Sequence, residues 1–398
     1  MTADHAMPQQ KYSVGALNGW RVLDLGIITA GAATSALLAD AGAEVIKIES
    51  PTRPDPFRTW THDGAIGDEP TSPVFDFTNR NKKGLGLDLK KPDGRSLFLK
   101  MVGKSDIIVE NFRRGVLENL GLSYRELREA NPRIVLASIS SQGETGPDRT
   151  YSSFGSTLEA TGGLAALTGY ENGPPVITGR NFNYPDQIVS IYAMGMIVAA
   201  GLEARRSGRG VHLDISQREV TAFLVGEAVT ATLETDVKAE CPRRGNMDPG
   251  GDPQFVLRSM DRQWVAVTLV DAAAVAGVRE LVSAYEPGSD LGAALRRWLE
   301  DRSVSEGIER LRQAGAAAAP VLNGSDILAE GGNAVTHGQK GELYKGFPFQ
   351  SRKSPMRVFR PAPKIGEDTE ELLTKSFGFP ENEVRALIND KIIFSSCS

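Results

Sequence analysis

The chain has 398 residues, 40% hydrophobic and 24% charged, ordinary for a soluble globular protein with a sizeable core and consistent with two or three domains. A formal net charge of -5 and a pI near 5.6 exclude a generally basic, nucleic-acid-binding surface. Cys241 and Cys397 are too few and too distant for a disulfide scaffold, and the four histidines show no metal-ligand spacing.

In chain order, "GWRVLDLG" reads as a buried strand and "AGAATSALLADAGA" as a helix stopped by Gly42. "EVIKIES", "GLGLDL", "DIIVEN" and "RIVLASIS" are further strands, with a helix at "KPDGRSLFLKMVG" and another opened by the Ser123–Glu126 capping box. This alternation predicts an α/β fold with a parallel, Rossmann-like sheet covered by helices on both faces, and ligands in such sheets bind beyond the strands' carboxyl ends. The apolar run from Ile188 to Ala204 contains Ser190, Gly195, Gly201 and Glu203, and reads as a buried helix. "PRRGNMDPGGDPQ" is a glycine- and proline-rich loop, followed by a hairpin turning at Asp261-Arg262, two helices and a strand at "AAAAPVLN". The expected division is a large domain over residues 1–225, a small α+β domain over 226–323, and a segment over 324–398 that completes the first. The N-terminal stretch lacks the apolar core of a signal peptide, so a cytoplasmic location is expected, with no membrane partner.

Two cofactor motifs are absent. The loop after the first strand lacks G-x-G-x-x-G, and no G-x-x-x-x-G-K-[ST] occurs. Two basic clusters remain: Arg80, Lys82 and Lys83 before the third strand, and Asn111, Phe112, Arg113 and Arg114 after the fourth. Their functional reading is a phosphate site with Phe112 against a base; the bland alternative is a solvated rim with Phe112 in the core.

The order and spacing of "LLADAGAEVIKIE", "NRNKKGLGLDLKKPDGR", "DIIVENFRRGVLENLGL", "NPRIVLASISSQGETGP", "TGYENGPP", "RSGRGVHLDIS", "DRQWVAV" and "RPAPKIGEDTEELL" resemble the family III coenzyme A transferases and the related α-methylacyl-CoA racemases. The resemblance implies acyl-CoA and a carboxylic acid or other acyl acceptor as substrates, no tightly bound cofactor, and an interlocked homodimer. It implies a substrate and CoA site drawing on Thr29, Arg80, Lys83, Asn111, Phe112, Arg113, Leu120, Gln142 and Arg180, the last either orienting the far carboxylate of a dicarboxylic acid or lying at the surface. Ser50 stands where the family often has an arginine, with Arg53 close by, and "DPGGDP" departs from the family's run of glycines over the thioester; Gly250 and Gly251 either expose N–H groups to a developing oxyanion or form an ordinary turn.

The family's transferases read T-G-x-x-D-G-P-P, and that aspartate attacks the acyl-CoA to form a mixed anhydride and then an enzyme-bound thioester. Here the position holds Asn172, and an uncharged amide cannot be that nucleophile. Four readings stand open: a natural Asp replaced by Asn, Glu171 supplying the carboxylate, direct acyl transfer with no covalent intermediate, or binding without catalysis. A racemase needs a His-Asp pair; Asp186 fits the aspartate, but "YSSFGSTLEATGG" holds no histidine. The bland reading of Asp186 is a helix N-cap.

Overall fold

The computed structural model describes residues 15–60, 72–178, 183–234, 243–247, 250–285, 290–332, 335–338, 341–348, 351 and 353–396. The chain divides into two compact units, residues 1–164, 177–231 and 333–398 in the larger and residues 165–176 and 232–332 in the smaller. The boundaries expected at 226 and 323 fall instead at 232 and 332, and the "TGYENGPP" segment joins the smaller unit.

In the larger unit, β1 (Arg21–Asp24), β2 (Glu44–Glu49), β3 (Lys83–Leu87), β4 (Ile107–Glu110), β5 (Val135–Ser140) and β6 (His212–Ser216) are parallel. Successive strand residues point to opposite faces. Leu23, Ile46, Ile108 and Leu136 feed one core, and Val22, Val45, Val109 and Val135 the other. Both faces must then be covered, which is why these strands read as unbroken apolar runs.

The smaller unit is built on an antiparallel sheet of β7 (Gln254–Arg258), β8 (Trp264–Thr268) and β9 (Ala317–Pro320) around a core containing Trp298. Its hairpin turns at Asp261-Arg262 as expected, with Arg262 left-handed at φ 63°. Back in the larger unit, β10 (Val335–His337) and β11 (Leu343–Lys345) form a separate antiparallel pair. The two-residue β12 (Ile393–Phe394) adds an antiparallel edge to β3.

The main sheet runs β12-β3-β2-β1-β4-β5-β6. Strand order therefore reverses between β1 and β4. At such a switch point the two connections leave in opposite directions and open a crevice beyond the strands' carboxyl ends.

The Tyr184–Ser207 helix departs from the sequence expectation. Val189, Ala193, Ile197 and Ala204 are buried on one face, but Ile191, Tyr192, Met196 and Leu202 on the other are exposed. By length and composition alone it is apolar enough to cross a membrane. A helix apolar all round needs cover on both sides, and this unit covers one.

Candidate active site

The switch-point crevice begins with the loop leaving β1, from Leu25 to Thr29, which a buried polar network shapes. Asp24 accepts from Gly26 N at 2.9 Å and from Lys82 Nζ at 2.8 Å, and Lys82 also donates to the Ala32 carbonyl and Asn79 Oδ1 at 2.8 Å each. Lys47 Nζ donates to the Gly26 carbonyl at 2.5 Å and to Asp55 at 2.8 Å, while Asp55 accepts from Ile28 N at 3.2 Å. Buried ammonium groups persist only when paired and fully hydrogen-bonded, and both lysines meet that condition. The network holds Ile28 at φ 60°, a conformation a β-branched residue rarely adopts. Thr29 is buried directly after it, at the N-cap of the Ala30–Asp40 helix, with no capping bond from its side chain.

Asn111, expected to touch CoA, instead grips this loop from the end of β4. Its Oδ1 accepts from Ile27 N at 2.8 Å and its Nδ2 donates to the Ile27 carbonyl at 3.0 Å. Gly31 has no room for a side chain because an added Cβ would lie 2.6 Å from Asn111 Oδ1. Phe112 and Leu120, also expected at CoA, pack partly buried against the core, which favours the bland reading for both. Arg113 is exposed and makes no side-chain hydrogen bond among the described residues. Arg114 pairs with Glu144.

Beyond β4 and β5 a cavity of about 100 Å³ is lined by Glu110, Arg114, Tyr124, Ser138, Glu144 and His212, among others. Burial pushes Glu110 up to about 7 even though it accepts from Phe112 N at 2.7 Å. Burial likewise holds His212, 2.9 Å from Ser138 Oγ, below its ordinary value. Gln142 follows β5, buried, with long bonds to Ser141, Ser153 and Arg218 at 3.3–3.4 Å.

The other basic cluster is at the wrong end of the sheet. Arg80 is buried against Asp40 at 2.6 Å, and Lys83 opens β3 and pairs with Glu44, the first residue of β2, at 2.8 Å. Residues that begin parallel strands lie at the amino edge, opposite the crevice. Both are structural ion pairs and leave the expected phosphate site. Lys82, which sequence reading grouped with them, points into the β1 loop network.

Asp186 is not an N-cap. Asn183 holds that position at φ 45°, and Asp186 sits within the first turn of the Tyr184–Ser207 helix. Ser190, whose hydroxyl donates to the Asp186 carbonyl at 2.7 Å and the Ala30 carbonyl at 3.1 Å, ties this turn to the start of the Ala30–Asp40 helix. Burial raises the Asp186 carboxyl to about 7. Its ionisation therefore opposes folding: between the unfolded value near 4 and the folded value the native state binds more protons, so this group's contribution becomes less favourable as pH rises. Asp186→Asn is expected to stabilise the fold on the order of 2 kcal/mol at pH 8 and leave it unchanged at pH 4. Urea unfolding at the two pH values measures this, and equal effects at both would refute it.

In the smaller unit, Glu171 and Asn172 lie exposed in a turn whose Gly173 N donates to the Tyr170 carbonyl at 3.0 Å. Val176 N bonds the Thr168 carbonyl at 3.0 Å, closing the loop at its base. Arg243 donates to the Gly173 carbonyl at 2.7 Å and to the Tyr170 carbonyl at 3.4 Å, bracketing the two residues. Sequence reading missed Arg243; its adjacency to a glycine-rich loop was the only signal. Gly250 lies in a turn, and Gly251 is left-handed at φ 90° with open space around its Cα. In the larger unit, Thr178 is held through N and Oγ1 by the buried Glu159 at 2.9 and 2.5 Å. Arg180 lies outside the described residues.

The sequence profile of CoA-transferase family III matches residues 17–369. A probable CoA-transferase of Mycobacterium tuberculosis is 32% identical over 94% of this chain, which spans about half (50%) of that relative's length. An acetyl-CoA:oxalate CoA-transferase of Acetobacter aceti is 30% identical, covering 92% of this chain and 97% of its own. The crystal structure of a CAIB/BAIF family protein from Brucella suis shares the fold with a TM-score of 0.81 at 24% identity, over 94% of this chain and 99% of that one. A parallel sheet with its switch-point crevice, an antiparallel second unit and a profile match along nearly the whole chain agree: the protein belongs to CoA-transferase family III.

Proposed function

We propose that this protein moves CoA between short carboxylic acids, with the acyl-CoA lying across the carboxyl ends of β1 and β4. The observation that carries this reading is family membership over residues 17–369. The oxalate named for the Acetobacter aceti relative supports a dicarboxylic acid as one partner. Arg113 is the cation in this reading that meets the CoA phosphates, because it is exposed beside the crevice while Arg80 and Lys83 are held in ion pairs elsewhere. A lost charge-assisted contact weakens binding about tenfold or more. Calorimetry should therefore find CoA bound about tenfold more weakly by Arg113→Ala than by the parent. Unchanged affinity would remove Arg113 from the site.

The same reading has the protein act as a homodimer. Its support is the uncovered apolar face of the Tyr184–Ser207 helix, continued by Phe223 and Val229, each more than half exposed. A second copy is the occupant we infer. Sedimentation of a folded monomer at micromolar concentration would reject it.

A further inference from the structure

We propose that Asn172 is a latent aspartate, converted to the nucleophile by intramolecular deamidation through Gly173. This rests on the reading that residue 172 is the attacking position of the transferase. The sequence holds three Asn-Gly pairs, at Asn18-Gly19, Asn172-Gly173 and Asn323-Gly324. An Asn-Gly pair is the most reactive context for succinimide formation, because glycine lacks the Cβ that would crowd the following backbone nitrogen as it attacks.

Asn323 and Asn172 differ in what holds the amide, while Asn18 is exposed in a turn like Asn172 and serves as an internal reference for the rate at an unheld pair. Asn323 caps a helix, its Oδ1 accepting from Ser325 N at 2.9 Å and Asp326 N at 3.2 Å, which keeps its Cγ from turning toward the next nitrogen. Asn172 is exposed in a turn, and its side chain makes no hydrogen bond among the described residues. A Cβ built on Gly173 would meet nothing nearer than the Tyr170 carbonyl at 3.5 Å, so there is room for a ring to form there. The one restraint is the Gly173 N–H bond to that carbonyl at 3.0 Å, which must open first. It makes the conversion slow and does not forbid it.

The step balances with water as the only co-reactant. Gly173 N loses its proton and bonds to Asn172 Cγ, the Cγ–Nδ2 bond breaks, and ammonia leaves. Water then adds to the Cγ carbonyl and breaks the new Cγ–N bond, restoring the Gly173 N–H and leaving a side-chain carboxylate. Addition at the other ring carbonyl gives an isoaspartyl linkage instead. That product lengthens the backbone by one carbon and displaces the carboxylate. Arg243 is bound to the carbonyls of Tyr170 and Gly173 on either side, which keeps a positive charge in the turn that gains the negative one.

The test follows freshly purified protein at pH 8 by peptide mapping with fragmentation that separates Asp from isoAsp, with CoA transfer from acetyl-CoA to oxalate assayed in parallel. We expect a gain of about 1 Da at residue 172. Transfer should grow in proportion to the normal aspartyl fraction, faster at higher pH, while Asn323 stays unchanged. Gly173→Ala should slow both changes roughly tenfold. The double variant Asn172→Asp/Gly173→Ala should be active from the start, showing that the alanine does not unfold the loop. Residue 172 remaining asparagine, or becoming isoaspartyl alone, while Asn172→Asp is active would overturn the latent nucleophile and leave the transferase reading intact. An inactive Asn172→Asp would overturn both.

Discussion

Asn172→Asp is expected to raise CoA transfer by roughly 10³-fold or more over protein whose residue 172 is still an amide. The swap exchanges an amide nitrogen for an oxygen of nearly the same size, so packing is unchanged and only charge and nucleophilicity differ. The turn is built to keep its shape through the exchange. Thr168–Val176 closes its base, the Gly173–Tyr170 bond closes its tip, and Arg243 spans the carbonyls on either side. The following Pro174 and Pro175 fix their own φ and further limit drift. An exposed carboxylate beside a guanidinium stays ionised at neutral pH, as a nucleophile must. Incubation with acyl-CoA followed by hydroxylamine or borohydride should trap an adduct on residue 172. If Glu171 serves instead, the parent protein is already active and Glu171→Gln abolishes turnover. If the acyl group passes directly to an acceptor, both variants keep most activity and no protein-bound thioester is trapped.

The parallel sheet was legible because both faces of each central strand are apolar, and runs such as "VLDL" and "DIIVE" carry that signal locally. β6 was not, since His212 and Leu213 are only partly buried, Asp214 is exposed, and the three resemble a loop in the sequence. β12 is two residues long and gains strand character only from its pairing with Leu87 and Gly86. The site was half legible. The place of Asn111 and Arg113 after the fourth strand put both at the carboxyl ends, whereas Thr29 came only from the family resemblance. Arg80 and Lys83 were misplaced because a basic cluster that precedes a strand of a parallel sheet lies at its amino edge, not at the carboxyl ends where ligands bind. Asn111 shows a different limit: its residue type fits a ligand contact, but Ile27 offers its backbone N–H and carbonyl closer to hand. Lys47 offered a usable clue, a lone cation inside the apolar run "EVIKIE", which calls for a buried anion. That anion, Asp55, is supplied by the loop after β2.

The buried lysines carry the second large expectation. Lys82→Met should destabilise the protein by about 3–5 kcal/mol, as measured when one partner of a buried ion pair is removed. Lys82 is fully buried, and its three hydrogen bonds reach Asp24 at the end of β1, the Ala32 carbonyl in the first helical turn, and Asn79. Methionine fills a similar volume but leaves the Asp24 carboxylate without its paired cation, with the Gly26 N–H as its remaining hydrogen-bond donor among the described residues. The methyl group also abandons the Ala32 carbonyl. Asp24→Asn in the same chain should recover part of the loss, because it removes the uncompensated charge. The cycle separates charge from packing: if the double variant is no better than Lys82→Met alone, the cost lies in lost hydrogen bonds and volume. The loop consequence is read on variant protein that remains folded. With Lys82 gone, the β1 loop keeps Lys47 and Asn111 but loses its tie to the helix start, so CoA affinity should fall while Arg113 is untouched. Urea unfolding and CoA calorimetry on the four proteins of the cycle measure both effects. A Lys82→Met loss below about 1 kcal/mol would mean that water reaches Asp24 and that the network is not the closed, buried device its hydrogen bonds describe.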